Sequence, residues 1–99
     1  MPMHLVRNLH EYLSTIDMYG KAVVIGVNCS DCHTFLHIYG RCIDEHGFAI
    51  VVLPNDMDND LLEFFYVNDL LCLPIVVVEG LHYCGDIDYL GSVVCGRTS

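Results

Sequence analysis

Apolar residues change their spacing several times along the chain, and each change marks a predicted element. In residues 4–19 they recur at helical spacing, which predicts a helix that stops at Gly20. Residues 21–28 are an aliphatic and β-branched run, typical of a strand buried on both faces. Helical spacing returns after Cys29 and closes by residue 47, so a second helix is predicted to begin inside the motif at the end of this strand.

The second half of the chain continues the alternation of strands and helices. The predicted elements are a buried strand at 48–53, a short helix through 61–65, strands at 75–78 and 81–84 joined by a tight turn at Glu79-Gly80, and a last helix opening at 85–86. A strand–helix–strand unit followed by a hairpin implies a mixed sheet with helices on both faces. We therefore predict one α/β domain over residues 1–99 with four strands.

The composition and charge of the chain limit the classes of partner that it can bind. With 54% hydrophobic and 17% charged residues, the 99-residue chain has enough apolar side chains for a core. Its 13 acidic and 4 basic residues give a formal charge of -9, which repels phosphate backbones and anionic lipid. We expect no nucleic-acid and no membrane partner. The opening residues lack the apolar segment of a secretory signal, so we expect a cytoplasmic protein.

Residues 28–33, NCSDCH, are compatible with three chemistries. Cys-x-x-Cys-His matches a c-type haem attachment site, but the candidate axial ligand Met57 stands in an acidic loop without helical context. Cys29 and Cys32 also form half of a zinc site, which another cysteine or His33 would have to complete, and no second Cys-x-x-Cys follows. The third chemistry is that of a redox dithiol.

The position of the two cysteines favours the dithiol. Cys29 falls where a strand ends and a helix begins, so unpaired backbone N–H groups and roughly half a positive charge stabilise its thiolate. Cys32 lies one helical turn later on the same side, within reach of a mixed disulfide formed at Cys29. The sequence thus indicates that Cys29 attacks a substrate disulfide and that Cys32 resolves the intermediate.

With these features the chain resembles the thioredoxin superfamily, and within it the glutaredoxins most closely. The resemblance rests on CSDC at residues 29–32 after a buried strand, on Leu73-Pro74 before the third strand, and on the CGDID turn at residues 84–88. It implies a thioredoxin-like, glutaredoxin-like fold, with a four-stranded mixed sheet flanked by helices on both faces. It also implies a cis-proline at Pro74, packed against the dithiol.

The resemblance further implies a thiol–disulfide oxidoreductase with a substrate groove beside the dithiol. The groove residues would be Leu73, Pro74, Asp86 and Asp88. No metal and no bound cofactor is implied, and glutathione is the candidate co-substrate. The partners would be disulfide-containing proteins or low-molecular-weight thiols, together with a reductant, either glutathione or a thioredoxin reductase.

The residues inside the motif depart from the pairs familiar in this superfamily. Ser30 and Asp31 are expected to tune the pKa of Cys29, because a nearby carboxylate disfavours the thiolate. We therefore predict a less acidic Cys29 than in glutaredoxins, and a protein that is more a reductant than an oxidant. The basic residues that commonly flank a glutathione-binding dithiol are absent here.

Two other functions remain open, and the remaining cysteines bear on them. One is a thioredoxin-fold interaction or regulatory protein with weak or no redox turnover, and the other is a metal or iron–sulfur carrier that uses Cys29. We expect Cys72, Cys84 and Cys95 to be reduced core residues, since they lie in or beside apolar segments. Of these, Cys72 is close enough to Pro74 in sequence to lie near the dithiol.

Overall fold

The computed structural model describes residues 3–96, in which five strands form one mixed sheet between two layers of helices. The elements are β1 (Met3–Leu5), α1 (Leu9–Tyr19), β2 (Lys21–Gly26), α2 (Ser30–Glu45), β3 (Ala49–Leu53), α3 (Asn59–Val67), β4 (Ile75–Val78), β5 (Leu81–Tyr83) and α4 (Ile87–Val94). The strands lie in the order β1-β3-β2-β4-β5. The ends of the predicted domain, residues 1–2 and 97–99, lie outside the described range.

The sheet has five strands where four were predicted. The extra strand, β1, pairs in parallel with β3, with Met3 opposite Ile50. The helix predicted over residues 4–19 therefore starts later, at Leu9. Asn8 sets this start, because its side-chain oxygen accepts a hydrogen bond from the Glu11 N–H at 2.8 Å and caps the first turn.

The predicted burial of the central strand on both faces is confirmed for residues 22–25, whereas residues 27–28 lie beyond its end and are exposed. Successive side chains of a strand point to opposite faces of the sheet. In β2, Ala22 and Val24 therefore join the core under α1 and α3, whereas Val23 and Ile25 join the core under α2 and α4. The two cores hold the sheet between the helix layers, as the mixed-sheet prediction required.

Helices α2 and α4 pack closely against each other because of a glycine. A Cβ atom built on Gly91 of α4 would overlap the ring of Tyr39 on α2. Tyr39 in turn packs against Phe35, with ring centroids 5.2 Å apart. This contact fixes α4 relative to the helix that carries the dithiol.

Among residues 3–96, each helix falls short of the length and apolar character needed to cross a membrane.

The predicted tight turn between the last two strands is confirmed. Glu79 and Gly80 both have positive φ angles, 51° and 83°, which is the conformation of the two-residue turns that join twisted antiparallel strands. Strand β4 pairs with β2 on one side and with β5 on the other, both antiparallel. The hairpin thus extends the sheet beyond β2 and leads the chain toward α4.

The expectation of free cysteines in the core is wrong, because all six cysteines form disulfides. The pairs are Cys29–Cys32, Cys42–Cys95 and Cys72–Cys84. The packing of α2 on α4 brings the Cα atoms of Cys42 and Cys95 to 5.0 Å, although the residues are 53 positions apart. The Cα atoms of Cys72 and Cys84, at the open end of the β4–β5 hairpin, are 6.1 Å apart.

Candidate functional site

The Cys29–Cys32 disulfide lies at the amino end of α2, as the sequence predicts. Cys29 has an extended backbone and is the N-cap residue of the helix. Its sulfur accepts a hydrogen bond from the Cys32 N–H, with 3.1 Å between Sγ and N. A sulfur held by a helix-terminal N–H is stabilised in its thiolate form, which is the property a nucleophilic cysteine needs.

The two cysteines differ in their access to solvent. Cys29 is half-buried, whereas Cys32 has only 1% of its surface exposed and packs in the core under α2 and α4. A substrate disulfide can therefore approach the first sulfur but not the second. This asymmetry suits an attacking Cys29 and a resolving Cys32, the roles that the sequence assigns to them.

The Leu73-Pro74 segment lies beside the dithiol, and its peptide bond is cis, as the family resemblance implies. The sulfur of Cys29 is 3.9 Å from the carbonyl oxygen of Leu73. Pro74 is buried, while Leu73 is half-buried and contacts both cores. The chain that precedes β4 is thus the surface that a substrate reaching Cys29 would meet.

A groove of about 420 Å³ joins this segment to the start of α4. We call it the acidic groove; its lining residues are Asp31, Leu73, Pro74, Gly85, Asp86, Ile87 and Asp88. The four residues predicted to bind substrate therefore meet in one place, together with one of the two residues predicted to tune Cys29. The other tuning residue, Ser30, is exposed in the first turn of α2 and does not line the groove.

Two of the groove carboxylates also have structural partners. Asp86 is the N-cap of α4, and its Oδ1 accepts a hydrogen bond from the Tyr89 N–H at 2.7 Å. The hydroxyl of Tyr39 donates to Oδ1 of Asp88 at 3.4 Å. Asp31, Asp86 and Asp88 give the groove three carboxylates, and no basic side chain lines it. The groove therefore favours neutral or cationic ligands over anions.

The surface on the other side of Leu73 is apolar. Leu73 also lines two smaller depressions, of about 220 and 180 Å³, which share Leu53 and Met57. Cys29 borders the first of these, and the exposed side chains of Leu62 and Leu71 lie along the second. The half-exposed sulfur therefore stands between an acidic groove and an apolar surface.

Gly85 and Ile87 line the groove but were not singled out from the sequence. Both belong to the turn at residues 84–88 that carries the family resemblance, so the signal was present there. Gly85 packs directly under the Tyr89 ring, because a Cβ atom on it would lie 2.7 Å from Cδ2 of Tyr89 and the ring would have to shift. The turn follows the Tyr89 ring closely and presents Asp86 and Asp88 to the groove.

The geometry around the motif bears on the metal alternatives. Within residues 3–96, no group of three or more histidine, cysteine or acidic side chains is arranged to hold a metal ion. Cys72 and Cys84, two of the cysteines that could complete a zinc site with Cys29 and Cys32, are bonded to each other. His33, whose position suggested a haem site, is exposed on α2.

No protein-family model matches the chain, and no curated protein matches it. Several solved structures share its fold. The chain aligns with the thioredoxin of Plasmodium falciparum at 14% identity and a TM-score of 0.63, covering 98% of this chain and 99% of that one. Mitochondrial thioredoxin 3 of Saccharomyces cerevisiae aligns at 15% identity and a TM-score of 0.63, covering 93% and 92%. The thioredoxin pre-protein of Schistosoma mansoni aligns at 14% and 0.63, covering 99% and 100%.

These alignments confirm the predicted fold class. The chain has a thioredoxin-like fold, and a Cys-x-x-Cys disulfide lies at the amino end of its second helix. The three structures are thioredoxins, so the closer resemblance to glutaredoxins stays a prediction.

Proposed function

We propose that this protein is a thiol–disulfide oxidoreductase that acts on disulfides in other proteins. One observation carries the proposal: the half-exposed Cys29 sulfur is held by a helix-terminal N–H, with its disulfide partner Cys32 buried behind it. This arrangement exposes one sulfur to a substrate and keeps the other for the second step. The fold of solved thioredoxins supports the same reading.

The reaction follows from the two sulfurs. In the reduced protein, the Cys29 thiolate attacks one sulfur of a substrate disulfide, forms a mixed disulfide and releases the first substrate thiolate. The Cys32 thiolate then attacks Sγ of Cys29, closes the Cys29–Cys32 bond and releases the second substrate thiolate. Two electrons pass to the substrate, whose sulfurs take up two protons. The two cysteines carry both electrons, so the step requires no metal and no bound cofactor.

The surroundings of Cys29 favour a protein substrate over glutathione. Glutathione is an anion, and the three carboxylates of the acidic groove repel it. The apolar surface beyond Leu73 offers contact area to a folded or extended polypeptide. We therefore propose a dithiol protein of the thioredoxin reductase type as the reductant, with glutathione as the alternative. As a separate proposal, we place the protein in the cytoplasm.

Disulfide reduction by purified variants tests the proposal. A protein disulfide serves as substrate, and either a thioredoxin reductase system or glutathione supplies the electrons. Cys29→Ser should abolish turnover, and Cys32→Ser should trap a mixed disulfide that mass spectrometry detects on Cys29. The double variant Cys42→Ser/Cys95→Ser is the matched control, because it removes a disulfide that does not border the site and should keep its activity.

The rival functions predict different results in the same experiment. An interaction protein with a vestigial dithiol would fold but show no turnover with either reductant. A carrier of an iron–sulfur cluster would show visible absorption that Cys29→Ser removes. Wild-type turnover that survives in Cys29→Ser would refute the proposed nucleophile.

A further inference from the structure

The Cys72–Cys84 disulfide closes the open end of the β4–β5 hairpin. The pairing of the two strands ends with Val76 opposite Tyr83. Beyond that pair the two segments are cross-linked by the disulfide, and Sγ of Cys84 is 3.8 Å from the carbonyl oxygen of Cys72. The bond therefore begins where the strand pairing stops.

Each cysteine directly precedes one wall of the acidic groove. Cys72 is followed by Leu73 and Pro74, which form the wall beside Cys29, and Cys84 is followed by the turn that begins at Gly85. The disulfide thus ties the two walls together at their base. Opening it leaves the walls connected through side-chain packing and through the β4–β5 hairpin, whose pairing stops at Val76 and Tyr83.

We propose that Cys72–Cys84 is a second redox-active site, opened by dithiol reductants, and that its oxidation state sets how well the acidic groove holds a substrate. The inference rests on the proposed function of Cys29 and Cys32. The second disulfide transfers no electrons to the substrate. It controls only the groove in which the substrate lies.

Access and local restraint both suit this role. Cys72 and Cys84 are half-buried, in contrast to the buried Cys32, so a reductant can approach them. The segment between α3 and β4 has no regular secondary structure, and Leu71 within it is 65% exposed. No helix or strand hydrogen bonds hold such a segment, so removal of a covalent bond at its end increases its freedom.

The redox step balances as an ordinary thiol–disulfide exchange. A thiolate of the dithiol reductant attacks one sulfur of Cys72–Cys84, forms a mixed disulfide and releases the other cysteine as a thiolate. The second thiol of the reductant then displaces the bound cysteine and becomes part of the reductant's own disulfide. The protein gains two electrons and two protons, and a disulfide oxidant reverses the process.

The third disulfide provides a matched control. Cys42 and Cys95 are also half-buried, but neither adjoins a residue that lines the acidic groove. Cys42 is 13 positions after Cys29 on the same helix, which corresponds to roughly 20 Å along its axis. Loss of this bond removes a cross-link of similar kind without releasing a groove wall.

Steady-state kinetics of two double variants test the proposal. For Cys72→Ser/Cys84→Ser we expect the KM for a protein disulfide to rise about tenfold with kcat within about twofold, which corresponds to a groove that keeps its bound shape about one tenth of the time. Cys42→Ser/Cys95→Ser should change both constants less than about twofold. Equal effects in the two variants, or an unchanged KM in the first, would overturn the proposal.

A second measurement avoids dependence on the folding of that variant. In a Cys32→Ser background, graded dithiol buffers open Cys72–Cys84 to different extents and are then removed by gel filtration, because a dithiol left in solution would reduce the substrate and the mixed disulfide. The rate of mixed-disulfide formation at Cys29 is measured at once, and differential alkylation with mass spectrometry measures the open fraction. The rate should fall as the open fraction rises. If the rate does not change with the open fraction, the proposed control of the groove is refuted and the proposed function is not. If Cys29 never reacts with disulfides, the proposed function itself is refuted.

Discussion

Replacement of Tyr12 by phenylalanine tests how β5, the strand that leads into the acidic groove, is fixed to the rest of the protein. Tyr12 on α1 is fully buried, and its hydroxyl is 2.8 Å from Nε2 of His82 on β5. Nδ1 of the same ring is 3.3 Å from the carbonyl oxygen of Gly80. A neutral His82 satisfies both contacts if its Nδ1–H donates to Gly80 and its Nε2 accepts from Tyr12.

The expected loss follows from that geometry. Tyr12→Phe keeps the ring in place against Phe65, whose centroid is 5.1 Å away, and removes only the hydroxyl. The half-buried Nε2 of His82 then has no donor, which costs about 1–2 kcal/mol in the free energy of unfolding. For a domain of this size that corresponds to a fall of roughly 5–10 °C in Tm.

Urea unfolding followed by circular dichroism measures this loss, with the disulfides kept closed. Tyr66→Phe is the control, because it removes the same hydroxyl group from a side chain that is 72% exposed. If Tyr12→Phe unfolds at the same urea concentration as the wild type and the control, the Tyr12–His82 hydrogen bond does not stabilise the fold.

The same pair predicts a pH dependence of stability. Burial lowers the pKa of His82 below its ordinary value of 6.5, and the hydrogen bond to the Gly80 carbonyl partly opposes this shift. As the pH falls below 6.5, His82 takes up a proton more readily in the unfolded chain than in the folded protein. The contribution of neutral His82 to the free energy of unfolding is therefore complete above pH 6.5 and is lost as the pH falls. Unfolding free energies at pH 7.5 and 5.0 should differ less in His82→Gln than in the wild type. An equal difference in both proteins would refute the assignment.

Three further substitutions and one spectrum test other parts of the structure. Asp31→Asn should let Cys29 of the reduced protein ionise at lower pH. Loss of a nearby unit charge in water lowers the free energy of the thiolate by on the order of 0.5 kcal/mol, which is about twofold in its population. Ultraviolet absorbance of the thiolate measures this change, and an unchanged titration would contradict the tuning role. Gly91→Ala should lower the urea midpoint of unfolding. Overlap of the new methyl group with Tyr39 costs about 1–3 kcal/mol and outweighs the gain in helix propensity of about 1 kcal/mol. A more stable variant would show that α2 and α4 can separate freely. Asp86→Ala should lower the free energy of unfolding by about 1 kcal/mol, because it removes the cap of α4. The same urea unfolding curves measure this loss, and an unchanged midpoint would contradict it. The purified protein should show no visible absorption band, whereas a band would support the cluster-carrier alternative.

Much of the fold could be predicted because the decisive patterns are local. The uninterrupted β-branched runs of β2, β3 and β4 indicate buried strands, and the turn at Glu79 and Gly80 indicates a hairpin. Strand β1 escaped prediction because it has three residues and is held by pairing with β3, a partner 47 positions away in sequence. A local signal for the true start of α1 was nevertheless available, since Asn8 followed by Glu11 matches a helix cap.

The candidate site divides in the same way. Cys29 and Cys32 are three positions apart, so the backbone of one helical turn places their sulfurs together in any fold that begins a helix there. The sequence by itself therefore determined the close pairing of the two cysteines, and it predicts their order of reaction and the segments around them. The groove and the partners of the other cysteines were decided by the tertiary structure. Cys42 meets Cys95, and Cys72 meets Cys84, because helix packing and strand pairing bring together residues that no local pattern relates.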